Sequence, residues 1–202
     1  MSAQEVPAAS GPPRNLNVAN GLTGLRLLAV PIFAWLLLHD GGNDVGWRLS
    51  AAVAFLAAIL TDLLDGLLAR QRNLVTDIGK IADPIADKAL VGAALIGLSI
   101  LDEVPWWITI VILARELLVT VLRLAFVRRS VHPAGRGGKI KTVVQAVAIV
   151  ACVLPLPHWW DLPRGVLIGL ALVLTVATGI DYALDGLRRR ARAARTEPAT
   201  GE

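Results

Sequence analysis

The chain is poor in the residue types that staple or catalyse in small soluble domains: its 202 residues include one cysteine, one methionine, one tyrosine and three histidines. The single cysteine, Cys152, excludes a disulfide framework within the chain. Its setting in the apolar run Thr142 to Leu156 suits a small buried hydrophobe better than a reactive thiol. His132, between Arg128 and Lys141, has no companion for metal or nucleophilic work, and no serine or cysteine nucleophile constellation is evident. Charge is scarce as well. Only 18% of residues are charged against 55% hydrophobic, and a mean hydropathy of +0.61 excludes an ordinary soluble domain in favour of an integral membrane protein.

Two further absences shape the reading. Met1 to Asn20 is polar and proline-rich, with Arg14 as its only basic residue, so it lacks the basic, apolar and small-residue regions of a signal peptide. Long unbroken apolar runs are also missing. Six apolar segments stand out, Leu22 to Leu38, Leu49 to Arg70, Pro84 to Leu101, Pro105 to Val127, Thr142 to Leu156 and Gly165 to Leu187. Most of their uninterrupted cores fall short of the roughly 20 residues a spanning helix needs. They become spans where flanking charged turns continue the helix, and the interruptions (Arg26, the aspartates, Lys88, Arg115, Glu116 and Arg123) all fall toward one side. The expected architecture is an all-α integral membrane protein of six transmembrane helices over residues 20–190. A flexible or surface-lying tail over 1–19 precedes it, and a basic then polar tail over 191–202 follows.

Sidedness follows from where the cations lie. With a cytoplasmic N-terminus, Arg72, Lys80, Arg128, Arg129, Arg136, Lys139, Lys141 and the arginines of the tail fall on the cytoplasmic side, and only Arg48 and Arg164 fall opposite. The opposite loops instead carry Trp47, Trp106, Trp107, Trp159 and Trp160, as at a lipid–water boundary. The net charge of +4 points to anionic headgroups or phosphorylated substrates and not to nucleic acid, because the cations cluster beside apolar segments.

What the chain does have is a concentration of acid in apolar surroundings. Asp62 and Asp65 are three residues apart, and Asp83 and Asp87 four apart, so each pair shares one face of its helix. Gln71 to Ala82 reads as a short polar turn that returns the chain antiparallel and brings all four carboxylates to similar depth. Four oxygen donors without histidine or cysteine favour hard cations, magnesium first and manganese next. Two such ions about 4 Å apart can clamp a phosphoryl centre. Gly66 and Ala69 leave room for a bulky group against the helix, and Arg70 offers a fixed cation to phosphate oxygens. Asp83 before Pro84 also suits a helix N-cap with proline at N1, and Asp77 a turn cap. Late in a helix, however, Asp62 and Asp65 oppose the macrodipole, which a cap does not explain.

The pattern Asp62-x2-Asp65-Gly66-x2-Ala69-Arg70-x8-Gly79-x3-Asp83-x3-Asp87 resembles the full signature of the CDP-alcohol phosphotransferase family. That resemblance implies a six-helix membrane fold, homodimeric, in the bacterial cytoplasmic membrane with its active site facing the cytoplasm. It further implies that Asp62, Asp65, Asp83 and Asp87 hold two Mg2+ or Mn2+ ions and that Asp87 is also the general base. By the same resemblance Asp62, Gly66, Ala69, Arg70, Thr76, Gly79 and Asp83 bind the CDP-linked donor.

Flanking motifs extend the likeness over roughly residues 20–156. Asn20-Gly-Leu-Thr23-x2-Arg26 with Pro31, and Ala114-Arg-Glu-Leu with Arg123, Gly138-Lys-Ile-Lys-Thr and Gln145, are similar to the bacterial phosphatidylglycerophosphate synthase branch. This implies CDP-diacylglycerol as donor and sn-glycerol 3-phosphate as acceptor, with CMP released. Arg115, Arg123, Lys139 and Lys141 are the cations suited to the acceptor phosphate, and Asn20, Thr23 and Arg26 are further candidates. The competing accounts are a carboxylate neighbour such as Glu116 neutralising Arg115, and ordinary cytoplasmic flanking for the lysines. Two other functions stand beside this one: a cardiolipin synthase using phosphatidylglycerol, and, from another class, a cation transporter whose carboxylates line an ion path.

Overall fold

The computed structural model describes the backbone of residues 18–72, 77–126 and 136–196, and the side chains of residues 24–61, 85–86, 88–121 and 140–181. Among these residues there are six α-helices and no strand: α1 (Val18–Leu38), α2 (Val45–Arg72), α3 (Asp77–Ile100), α4 (Trp106–Phe126), α5 (Arg136–Val153) and α6 (Asp161–Thr196). Short 3-10 turns at His39–Gly42 and His158–Trp160 precede α2 and α6.

Each apolar segment of the sequence lies within or overlaps one helix, but the helices run further into the charged flanks. The clearest difference is α3. It begins at Asp77, so Asp83 and Pro84 lie more than a full turn inside a continuous helix and Asp83 is not its N-cap. A proline within a helix forfeits one backbone bond, here to the Lys80 carbonyl, and that loss is tolerable where neighbouring helices or water can serve the freed group. Of the turn expected over residues 71–82, positions 71–72 and 77–82 are helical, and residues 73–76 lie outside the described set. At the other end of the chain, α6 continues through the arginine-rich stretch to Thr196.

Helix α1 packs along both α2 and α3, α5 packs along α6, and α6 also meets α4. The core is built from Phe33, Leu37, Phe55, Leu90, Leu95, Leu98, Ile112, Ile149 and Val153, all but excluded from contact with the surroundings. Phe33 and Phe55 stack at a tilt with ring centroids 5.4 Å apart, joining α1 to α2. Between α1 and α3 the approach is close: a Cβ at position 97 would lie 2.7 Å from Leu37 Cδ2, so only glycine fits there without a shift.

The outside of the bundle is apolar too. Leu25, Leu28, Val53, Leu117, Leu118, Val143, Val166 and Val173 are exposed on five helices. A helix that is apolar all round needs a non-aqueous surrounding or a partner, and exposed patches of this extent are uncommon on soluble monomers. By length and composition Gly24–Gly42 and His158–Asp181 are long and apolar enough to cross a membrane, whereas Val45–Thr61, Lys88–Ile100 and Ile140–Val153 are shorter apolar stretches.

Candidate active site

The alternation of helices gives the bundle two unlike ends. One end gathers the start of α2, the end of α3, the end of α5 and the start of α6, and Arg48 ties the start of α2 to Glu103 beyond α3 and to the end of α5. Its guanidinium forms a two-pronged pair with Glu103 and also donates to the carbonyls of Val153 (3.0 Å) and Cys152. Arg164 donates to the Leu154 carbonyl at 2.7 Å and pairs with Asp161. The tryptophans expected at a lipid–water boundary are all here, and Trp35 joins them by packing edge-on against Trp47, with ring centroids 5.2 Å apart.

The other end holds the candidate site residues that lie on the described helices. Asp62 and Asp65 precede the last residue of α2 by ten and seven positions, about 15 and 10 Å at a rise of 1.5 Å per residue. Asp83 and Asp87 follow the first residue of α3 by six and ten positions, about 9 and 15 Å. Counted from the helix ends that four residues join, Asp65 and Asp83 lie at one depth and Asp62 and Asp87 at another. Gly66, Ala69 and Arg70 lie on the same last turns of α2, and Gly79 on the first turn of α3. The side chains of these residues lie outside the described set, as does Thr76 altogether. Among the described residues no group of three or more His, Cys, Asp or Glu side chains stands together. The donor set itself fits a hard divalent ion: carboxylates only, on two helices, at matched depth.

The cations of this end are partly within the described set. Asn20, Thr23 and Arg26 occupy the first turns of α1, the helix packed along both α2 and α3, and Arg26 is buried. Arg123 sits in the last turn of α4 and Lys139 in the first turn of α5, their side chains outside the described set. Arg115 and Lys141 are described, and they meet. Glu116 accepts from Lys141 of α5, from Lys88 of α3, and from Arg115 at 3.1 Å. Arg115 also donates from Nη2 to Thr178 Oγ1 of α6 at 2.7 Å.

Arg115 pairs with Glu116, as the neutralising account expects, whereas the flanking account of Lys141 does not match its place in the bundle. Lys141 is only 6% exposed and lies against a carboxylate inside the bundle, so it is not a solvated flanking charge. Arg115 does have Glu116 as a neighbour, but it shares that carboxylate with two lysines from other helices. Sequence reasoning had marked Lys88 and Glu116 as interruptions of apolar segments without giving them a place in the site. Thr178 carried no sequence signal, because nothing about a lone threonine in α6 announces that an arginine 63 residues earlier will reach it. Gln145, four residues beyond Lys141 on the same face of α5, is buried with its Nε2 lacking a hydrogen-bond partner among the described residues.

Two cavities of about 360 and 390 Å³ are also present, but neither touches these residues. The first lies at the tryptophan end beside Glu103 and Arg164, and the second is an apolar groove between α2, α5 and α6.

Comparison with known proteins supplies the remaining observation. The sequence profile of the CDP-alcohol phosphatidyltransferase family matches residues 16–177, which takes in both carboxylate pairs and the Glu116 cluster. The chain belongs to the CDP-alcohol phosphatidyltransferase family. It is 51% identical to a probable phosphatidylglycerophosphate synthase of Mycobacterium tuberculosis, over 93% of this chain and 90% of that one. It is 43% identical to the CDP-diacylglycerol–glycerol-3-phosphate 3-phosphatidyltransferase of Bacillus subtilis, over 68% of this chain and 77% of that one. A CMP-forming cardiolipin synthase of Streptomyces coelicolor is 37% identical over a shorter stretch, 59% of this chain and 55% of that one. Membership makes this chain an enzyme of group transfer and not a cation transporter. The family match and the structure agree on an all-helical domain.

Proposed function

We propose that this member of the CDP-alcohol phosphatidyltransferase family transfers the phosphatidyl group of CDP-diacylglycerol to sn-glycerol 3-phosphate, yielding phosphatidylglycerophosphate and CMP. The observation that carries the acceptor assignment is the meeting of half-buried Arg115 and buried Lys141 on Glu116, which also pairs with Lys88 next to Asp87. Two cations held inside an apolar bundle suit a doubly charged phosphate arriving from water. The likeness to relatives named for this reaction, over 93% of this chain in one and 68% in another, supports the same reading.

Asp62, Asp65, Asp83 and Asp87 would hold divalent ions, magnesium first, which when bound neutralise the donor diphosphate and the charge developing on CMP. The chain's own residues do the rest. Arg70 and the bare backbone at Gly66 receive the CDP moiety, while Arg115, Arg123, Lys139 and Lys141 orient the acceptor through its phosphate. Asp87 removes the proton from the glycerol 1-hydroxyl as that oxygen attacks the β-phosphorus; the bond to the α-phosphate oxygen breaks, and CMP leaves with the electron pair. Displacement is direct, in keeping with the absence of a serine or cysteine nucleophile in the motif.

The same reading places the six helices across the bacterial cytoplasmic membrane with both termini and the carboxylates on the cytoplasmic side, as a homodimer. The tryptophans, gathered at the opposite end, support that orientation. The test is CMP release by the purified protein in detergent from CDP-diacylglycerol. Release that requires both sn-glycerol 3-phosphate and a divalent ion is expected, and release independent of either overturns the proposal.

A further inference from the structure

Within the described part of the site, the residue that joins the helices is one the proposed reaction does not use. Glu116 collects Lys88 of α3, its neighbour Arg115 in α4, and Lys141 of α5 on a single carboxylate. Arg115 carries the connection on to α6, where Thr178 accepts from Nη2 and itself donates to the Leu174 carbonyl at 2.7 Å, so the hydroxyl is oriented to receive the guanidinium. Glu116 is 13% exposed, and a carboxylate this buried fixes its partners far more firmly than a surface ion pair does. On the α6 side the support is steric. A Cβ at Gly179 would stand 2.9 Å from Arg115 Nε and 3.0 Å from its Cγ, mid-chain atoms that cannot swing clear without moving the guanidinium.

The geometry points to Glu116 as a positioning residue for the acceptor. It holds Arg115 and Lys141 as a preformed phosphate seat, with Gly179 as the back wall, and keeps that seat in register with α3. Register matters because Lys88 directly follows Asp87, so the Lys88–Glu116 pair ties the helical turn of the proposed base to the helix that bears Arg115. The acceptor's hydroxyl and phosphate are a fixed distance apart, and a displacement of about 1 Å between the groups that hold its two ends can cost about 100-fold in rate. This inference rests on the acceptor being a phosphorylated alcohol.

Steady-state kinetics with both substrates varied, on the purified protein, test it. Glu116→Gln keeps the shape and removes the charge, and is expected to raise KM for sn-glycerol 3-phosphate about tenfold while KM for CDP-diacylglycerol changes less than twofold. Gly179→Ala alters no charge and is expected to show the same split, because it displaces Arg115. Glu116→Asp is expected to recover part of the loss. Equal rises in both KM values, or an unchanged acceptor KM, in Glu116→Gln overturn the inference. Should that variant fail to fold, Gly179→Ala decides alone by the same criterion. The wild-type protein separates the two claims: if it forms no phosphatidylglycerophosphate the functional reading fails, whereas normal product formation with variants of unchanged acceptor KM defeats only the role of Glu116.

Discussion

The two ends of this bundle both draw an arginine inward, Arg48 buried and Arg115 half-buried, yet they partner it differently. At the tryptophan end Arg48 directs its donors to main-chain carbonyls at the end of α5 and to Glu103. Displacing that cation would orphan backbone groups that no ligand is placed to serve, so its role is to close the fold. At the carboxylate end Arg115 and Lys141 meet side chains, Glu116 of α4 and Thr178 of α6, and Glu116 also reaches Lys88 of α3, one of the two helices that carry the motif. A cation positioned by side chains on neighbouring helices keeps the geometry of a binding group. Burial alone therefore does not distinguish these two arginines; the nature of their acceptors does.

Substitutions at the two ends should separate activity from stability. The largest effect is expected from Asp87→Asn, which removes the proposed base and should lower the rate of CMP release by about 100- to 10,000-fold with the thermal unfolding profile unchanged. Near-normal turnover would remove Asp87 from the mechanism. Chelation by EDTA should abolish turnover and added Mg2+ restore it, while Ca2+, which prefers more ligands at longer distances, should restore it poorly. At the opposite end, Glu103→Ala should lower stability by about 3 kcal/mol, because Arg48 stays buried without its counter-ion. Thermal unfolding in detergent measures that loss, and kcat/KM per folded molecule should stay within twofold of wild type. A selective rise in acceptor KM from this change would erase the distinction between the ends. The smallest effect is expected from Gly97→Ala, about 1 kcal/mol of destabilisation, as Leu37 must move away from the new methyl.

The helices and the motif were legible because each depends on residues close in sequence. Apolar segments announced α1 to α6, and the three- and four-residue spacings of the aspartates placed them on helix faces. The start of α3 was misread for a physical reason: Asp83-Pro84 is a strong local N-cap signal, but the chain from Asp77 is helical and carries the proline inside it. The Glu116 cluster was only half legible. Its charges stood out as costly interruptions of apolar segments, but Lys88 and Glu116 are 28 residues apart, and their pairing depends on how α3 and α4 pack. The Arg48–Glu103 pair spans 55 residues and had no local signal at all.

The central claim concerns the acceptor, since family membership is shared with the cardiolipin synthase that matches a shorter part of the chain. The most direct measurement supplies the purified protein with CDP-diacylglycerol and equal concentrations of sn-glycerol 3-phosphate and phosphatidylglycerol, and identifies the lipid product by mass spectrometry. Phosphatidylglycerophosphate, formed in step with CMP, is the predicted result. Cardiolipin as the main product would contradict the account.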